Sequence, residues 1–469
     1  ADADEARKIH FDKKGHIYFC GAFADSVDMD TSAAEFKLGA GANKDGFVCK
    51  YTVLGNFVWA KQFVGGDAEV MDVTALLGRC YITGNFWNQV DLDPSSATDN
   101  FTSNGLRDLF ICCLDESGNR IWNRTMGSSG MDGANCIDGS ITGDIFIAGT
   151  FADRMDFDPG SGVDEWYPPG GGQYDIFLLR LWGDDGNSPR HGMIGGPQNE
   201  QVNDLSVRGL NEVWFTGHFS GKVNFNPRQG VAIERTSEGG EDAFYQLTDG
   251  LLTYQGGGVI SGPANEDGRA ISFGNDGRVL VTGIFEQTTD FDPGEYELLQ
   301  TSKGSADIYL LQLRHWGGLI CVSTMGGPGA DGGSGVGADA LGNIFLTGSY
   351  GGYNSTDVDL DPGPGVGELP ANGTYQVFAA SYDPCAITTV ISENKSDKFF
   401  VLPNPASDKI VINGIAETGM IKIYDSKGVL ILTQNVRAGG TIDIRDIPTG
   451  LYYLKVENSH EVFKLVKVI

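Results

Sequence analysis

Six times along the chain, two acids or their amides stand two residues apart in the frame Asp-x-Asp-Pro or a close variant. The pairs are Asp28 with Asp30, Asp91 with Asp93, Asp156 with Asp158, Asn224 with Asn226, Asp290 with Asp292, and Asp359 with Asp361. In an extended segment, residues i and i+2 project to the same side, so both side chains of a pair can face one point. Two carboxylates with nearby carbonyls and water form the hard oxygen set that calcium prefers. The ten aspartates are therefore candidate ligands for structural Ca2+. The frame differs from the helix-loop-helix calcium loop, because proline follows the second acid and no third acid keeps a fixed place. The competing chemistry is backbone capping, in which the side-chain oxygens accept amide hydrogens of the turn and proline sets its exit. The fourth copy, Asn224 and Asn226, gives up the charge and keeps the oxygens.

Catalytic chemistry has less to build on. The six histidines (His10, His16, His191, His218, His315 and His460) share no repeat position, and no His-x-x-x-His or Gly-x-Ser-x-Gly frame occurs. The Gly-rich run at 326–337 lacks the lysine of a phosphate loop. Paired carboxylates could serve a glycoside hydrolase. Here, however, they recur six-fold as structural elements do, so no catalytic residue is assigned. A secreted polysaccharide hydrolase or lyase stays as the alternative. The eight cysteines form no Cys-x-x-Cys pair and read as small buried hydrophobes, with one or two disulfides open to them in an oxidising compartment. Aromatic insertions are the better candidates for ligand contact. Trp166 and Tyr167, in the variable segment 162–174, could stack on a sugar ring or anchor a protein partner, or else pack against a neighbouring repeat.

The acid pairs sit inside a longer repeat. A phrase apolar-apolar-x-x-Gly-x-aromatic recurs with its glycines at Gly21, Gly84, Gly149, Gly217, Gly283 and Gly348, spaced 63 to 68 residues apart. Each copy continues with the acid pair, a variable loop, an Asp-led apolar strand, and a further strand marked by Trp or a glycine pair. The glycine pairs are Gly65-Gly66, Gly195-Gly196, Gly257-Gly258 and Gly326-Gly327. One more apolar patch before the next glycine makes four strands per unit. Stretches such as DIYLLQL are apolar at consecutive positions, so both faces of each sheet must be covered. Without helical periodicity, only another sheet can cover them. This predicts an all-β fold, a six-bladed β-propeller of four-stranded blades over residues 1–384. The outer Trp/Gly strand occurs only five times, which leads to the expectation that residues upstream of Ala1 supply the sixth and close the ring. The charge balance, 33 Lys+Arg against 62 Asp+Glu for a net −29, argues against nucleic acid or an anionic membrane as partner. No run of about 18 apolar residues suggests a transmembrane span.

After a polar linker, 385–398, the texture changes to short alternating strands separated by turns over 399–469, which predicts a small immunoglobulin-like β-sandwich. Three phrases stand in order here: LPNPASDKI at 402–410, IYDSKGVLI at 423–431 and IDIRDIPTGLYYLKV at 442–456, followed by a terminal FKLVKVI. They resemble the type A C-terminal sorting domain of the Bacteroidota type IX secretion system. The matching positions are Pro403, Asn404, Pro405, Tyr424, Asp425, Gly428, Gly450, Tyr452 and Lys464. That resemblance implies export across the outer membrane, with the type IX translocon and its shuttle proteins as partners and a secreted or outer-surface location. Family members are usually cleaved ahead of this domain. The first 384 residues resemble the β-propeller repeats of bacterial surface proteins, which host binders and enzymes alike. Together these readings lead to a surface binding or adhesion protein, a structural component of a surface complex being a further alternative, with a glycan or surface protein as ligand.

Overall fold

The computed structural model describes residues 4–467 apart from 42, 172, 188–189, 211, 229, 295, 352–356, 364–366, 371–373, 386–399, 403–407, 414–417, 426–428, 438–439 and 457–461. The chain divides into two compact units, Ala1–Ala386 and Ile387–Ile469. Every regular element among the described residues is a strand.

The first unit is a series of antiparallel meanders. The first sheet takes Glu5–Phe11, His16–Phe23, Asp45–Thr52 and Phe57–Gly65, in that order. The second takes Ala68–Leu76, Arg79–Phe86, Asp108–Asp115 and Arg120–Met126, and the third Gly133–Gly139, Asp144–Phe151, Asp175–Trp182 and Arg190–Ile194. The fourth is built from Glu200–Arg208, Glu212–Phe219, Asp242–Thr248 and Tyr254–Ile260, and the fifth from Glu266–Phe273, Val279–Phe285, Asp307–Leu313 and Leu319–Met325. The sixth holds three strands, Gly332–Ala338, Ile344–Gly351 and Tyr375–Tyr382.

Consecutive apolar residues are explained by what covers each face. Cys112 belongs to an apolar cluster shared with the first sheet, while its neighbour Cys113 belongs to one shared with the third. Similar clusters join the third sheet to the fourth, the fourth to the fifth and the fifth to the sixth. The second to fifth sheets are thus each buried between two like sheets, as two-faced apolar strands require. The stack is curved so that innermost strands converge, for Lys8 of the first sheet reaches Asp204 of the fourth at 2.5 Å. No apolar cluster among the described residues joins the sixth sheet to the first, and Val377 of the sixth is 86% exposed. The expected outer strand of the sixth sheet is not among the described residues either.

The repeated glycine has a steric cause. In every sheet the innermost strand carries a register shift against the second, between Ala6/Lys8, Val70/Asp72, Ala134/Cys136, Val202/Asp204, Gly268/Ala270 and Gly333/Gly335. That bulge presses a backbone carbonyl onto the glycine. A Cβ on Gly21 would lie 1.8 Å from the Glu5 carbonyl oxygen, and one on Gly283 1.8 Å from that of Asp267. No side chain fits there.

Two expectations about the repeat need correction. The segment after the glycine phrase is not only loop: it folds into a short two-stranded ribbon in each repeat, for example Lys222–Asn224 with Glu234–Thr236. Four of the six ribbons pair with the outer strand of the preceding sheet, through Val64–Asp91, Gly195–Asn224, Ser261–Asp290 and Gly326–Asp359. Consequently Gly257-Gly258 is not the counterpart of Gly195-Gly196. It lies inside the outer strand, and Ser261-Gly262 occupies the equivalent place. Gly257 and Gly258 answer a different crowding, from the Tyr245 carbonyl at 2.6 Å and the Tyr245 hydroxyl at 2.5 Å of an added Cβ.

Of the eight cysteines, Cys321 and Cys385 form a disulfide that ties the outer strand of the fifth sheet to the chain just past the sixth. The other six are free and buried within the sheets. In the second unit, a three-stranded sheet (Phe400–Leu402, Lys409–Asn413, Gly440–Asp443) and a four-stranded sheet share one core. The four-stranded sheet comprises Leu430–Arg437, Thr418–Asp425, Gly450–Val456 and Val462–Lys467. Ile410, Ile412, Ile421, Ile423, Ile442 and Leu454 are completely buried there.

Candidate ligand-binding cleft

Each acid pair forms two successive side-chain caps. The first member's Oδ1 accepts the amide of the residue two on and the amide that opens the ribbon's return strand. The second member's Oδ1 accepts the amide two residues beyond itself. At Asp290 the donors are Asp292 N at 3.0 Å and Leu298 N at 2.8 Å, and Gly294 N donates to Asp292 at 2.8 Å. The first members Asp28, Asp91, Asp156 and Asp359 make the same two bonds within 2.7–3.0 Å. Among the second members, Asp30 accepts Ser32 N at 2.9 Å, Asp93 accepts Ser95 N at 3.0 Å, Asp158 accepts Gly160 N at 2.8 Å and Asp361 accepts Gly363 N at 2.7 Å. The bonds recur at Asn224 and Asn226 within 2.9–3.1 Å. One carbonyl-type oxygen per side chain suffices for all of them, so asparagine serves as well as aspartate.

At all six positions the Oδ1 atoms thus hold backbone amides of their own turn. Asp30, Asp158 and Asp361 do not meet a third acid, and neither do their partners Asp28, Asp156 and Asp359. The same holds for Asp91 with Asp93 and for Asp290 with Asp292. Among the described residues, no three His, Cys, Asp or Glu side chains converge as a metal-ligating group. Each pair's Oδ1 atoms are turned onto the amides of their own turn, so the Oδ2 atoms are the side-chain oxygens that calcium would draw on there.

The fourth copy opens onto a cleft of about 630 Å³ between the third and fourth repeats. Its walls come from three segments. The ribbon strand Glu165–Trp166 and the residues after it bring Asp164, Trp166 and Tyr167. The outer strand of the third sheet brings Arg190 and His191, and the Asn-x-Asn-Pro-Arg turn brings Asn224, Asn226 and Arg228. The turn is held against the strand by Met193 N donating to Pro227 O at 2.9 Å, and a Cβ on Gly192 would meet that carbonyl at 2.9 Å. Trp166 is half-buried. Its indole N–H donates to Asp164 Oδ1 at 2.7 Å and its ring packs against His191, centroids 5.5 Å apart. Tyr167, beside it, is 62% exposed. Of the two aromatic candidates, then, Trp166 builds the wall and Tyr167 forms an open rim.

The electrostatics of the cleft differ from the rest of the molecule. His191 stacks on Phe157 at 5.0 Å and contacts Asp164 Oδ2 through Nδ1 at 3.2 Å. Burial pushes its imidazole below the usual histidine range, Asp164 opposes that shift, and Arg228 and Arg190 reinforce it. His191 is therefore neutral near pH 7. The lining then carries two guanidinium charges against the single Asp164 carboxylate, on a chain of net charge −29. Arg190, His191 and Arg228 were not singled out from sequence. The available signal was Arg228 standing after Asn226-Pro227, where the other copies place Ser or Gly after the second acid and its following residue.

A second concentration of ionisable groups lies where innermost strands converge. Lys8 pairs with Asp204, Asp72 accepts the Ile137 amide at 2.9 Å, and Asp204 accepts the Ile271 amide at 2.9 Å. Burial, only partly offset by Lys8, raises the Asp72 carboxyl to about 7. Both acids are buried and their oxygens tie one sheet to the next. They act as inter-sheet fasteners. Beside them a cavity of about 550 Å³ is walled by His10, Tyr18, Leu77, Arg79, Glu116 and Arg208, among others.

In the second unit, Tyr424, Asp425, Gly450 and Tyr452 lie on adjacent strands, with Asp425 opposite Tyr452. Tyr452 is buried and donates its hydroxyl to Pro448 O at 2.8 Å. Lys464 sits opposite Tyr453 in the last strand. Pro403, Asn404, Pro405 and Gly428 lie outside the described residues.

No curated protein matches the chain. Among solved structures, one similar chain is PorZ of Porphyromonas gingivalis, described as an essential bacterial surface component of the type IX secretion system. It is 10% identical, with 99% of this chain and 70% of that chain covered at a TM-score of 0.30, a likeness too low for anything about this chain to follow from it. Residues 400–469 match the family described as the secretion system C-terminal sorting domain. That segment holds the three sequence phrases and the strands just described. Residues 400–469 are a type IX secretion C-terminal sorting domain, and the protein that carries it is a secreted or outer-surface protein.

Proposed function

We propose that this protein is a surface binding or adhesion protein. Its first unit is a six-bladed propeller presenting a ligand cleft, and its second is an immunoglobulin-like sandwich that addresses it to the type IX translocon and its shuttle proteins. The single observation that carries the binding reading is the cleft itself. A concave site of about 630 Å³ sets an exposed Tyr167 beside Arg190, Arg228 and the Asn224/Asn226 amides. Aromatic faces beside convergent polar groups suit saccharide rings, which present apolar C–H faces and hydroxyl edges. Binding is favoured over turnover because the raised carboxyls of the convergent cluster, Asp72 and Asp138, are spent on backbone amides. A group held that way has no open path to a substrate.

The test is a glycan array with the intact chain, alongside Tyr167→Ala. Because Tyr167 is exposed, its loss should leave the melting temperature unchanged while weakening retained binding about ten-fold, the equivalent of ~1.4 kcal/mol. Hydrolysis of any array glycan by the intact chain would replace this reading with the enzymatic one.

A further inference from the structure

We infer that the cleft between the third and fourth repeats recognises an acidic saccharide, one bearing carboxylate or sulfate groups. This rests on the binding reading of that cleft. Three departures from the repeat coincide at one place. Both acids of the fourth pair are amides, and Arg228 stands where other copies carry Ser32, Ser95, Gly160, Gly294 and Gly363. Capping does not account for the amides. The six copies make the same bonds through Oδ1, and aspartate makes them in five. What the exchange changes is charge, since it removes two carboxylates beside Arg190 and Arg228 and adds a guanidinium.

The sign of the local charge follows. With aspartates at 224 and 226 the lining would hold three carboxylates against two guanidiniums, whereas it holds one. That remaining carboxylate, Asp164, is occupied by the Trp166 indole N–H and by His191. A chain of net charge −29 repels anions at long range, so recognising one demands a local inversion of sign within about a Debye length, roughly 8 Å at physiological salt. Arg228 spends Nη1 on Leu251 O at 3.1 Å, and a guanidinium has further N–H donors to offer a ligand. Planar guanidiniums pair two-pronged with carboxylate and sulfate oxygens. Tyr167 supplies the adjoining face for the ring. A neutral glycan would use the aromatic face and gain nothing from the inverted charge.

The measurement is calorimetric titration of the intact chain with oligogalacturonate, a sulfated dextran oligosaccharide and a neutral β-glucan oligosaccharide. The parent is compared with Asn224→Asp/Asn226→Asp, Arg228→Ser and Tyr167→Ala. The aspartate pair keeps every cap, so the melting temperature should not move, and equal melting certifies the comparison. The expected result is binding of the acidic ligands only, weakened about ten-fold or more by the aspartate pair and by Arg228→Ser. Preference for oligogalacturonate over the sulfated ligand, or the reverse, supports the inference and names the source of the anion. If the neutral oligosaccharide binds as well, is lost with Tyr167→Ala and is indifferent to the aspartate pair, the acidic inference is overturned while the cleft stays a binding site. Absence of binding by all three ligands overturns both.

Discussion

At residue scale, the acid pairs pose a choice between charge and geometry. Calcium ligation needs carboxylate charge, whereas a cap needs one well-placed oxygen. Asparagine at 224 and 226 preserves the turn, which points to the oxygen. Asp290 gives a clean test because its Oδ1 caps two amides. Asp290→Asn should melt like the parent, with or without calcium or chelator. Asp290→Ala should lose about 1–2 kcal/mol, the scale of a lost side-chain cap. If Asp290→Asn destabilises as much as Asp290→Ala, and added calcium raises the parent's melting temperature, the pairs are metal sites.

The element scale brings carboxyls together in a way no single motif announces. At four of the five interfaces between successive sheets, an Asp heading a third strand approaches a buried acid at or just before the head of the following sheet's innermost strand. The pairs are Asp108 with Asp132, Asp175 with Glu200, Asp242 with Glu266, and Asp307 with Asp331. All eight are buried, and Asp108 Oδ1, Asp175 Oδ1, Glu200 Oε1, Glu266 Oε2 and Asp307 Oδ1 have no hydrogen-bond donor. In the Asp175–Glu200 pair both members present such an oxygen to each other, which calls for a shared proton, while in the other pairs Asp132, Asp242 and Asp331 have both oxygens on backbone amides and the unpaired oxygen belongs to one acid alone. Burial raises Asp108, Asp242 and Asp307 to about 6 and Glu266 to about 8, and the Asp175–Glu200 pair holds its proton well above the usual carboxylate range. A carboxyl that binds its proton more tightly folded than unfolded adds stability that is complete below the unfolded pKa of about 4 and lost as pH climbs through the folded value. The melting temperature should therefore fall between about pH 5 and pH 9. Glu266→Gln, carrying an amide where a protonated acid stood, should flatten that fall and melt above the parent at pH 9. A melting temperature independent of pH across this window would sink this account of the buried carboxyls.

For the whole molecule, stability is distributed along a row of sheets, each covered by its neighbours. The exposed sixth sheet is therefore a natural place for unfolding to begin. The Cys321–Cys385 disulfide anchors the chain leaving that sheet to the fifth, closing a loop of 64 residues. Chain-entropy arguments put such a crosslink at about 2–4 kcal/mol. Cys385→Ser should lower the unfolding free energy by roughly that amount, and reductant should lower the parent's melting temperature while leaving the variant's untouched. An oxidising destination is needed for the bond to persist, which agrees with export by the sorting domain.

Repeat length, strand chemistry and the export address were legible in the sequence because each is written locally and often. Six glycine phrases set the period, consecutive apolar residues demanded cover on both faces, and three short phrases marked the sorting domain. The reason for the glycines was not legible, since it lies in a bulged carbonyl contributed by a different strand. Gly257-Gly258 was misplaced for a similar cause, two crowded glycines looking alike until the ribbon pairing at Ser261 sets the register. The acid pairs show the same limit: spacing put Asp30, Asp158 and Asp361 beside their partners, but only the folded turn shows which amides their oxygens meet. The cleft was half visible. Trp166, Tyr167 and the amide pair stood out as residues, but Arg190 and His191 precede Asn224 by more than thirty positions. Only the stacking of the third repeat against the fourth brings them within reach of one ligand. Sequence settles what each strand needs on its faces, because side-chain polarity is local. Which charges meet across a gap is decided by packing, because it depends on contacts the chain makes with distant copies of itself.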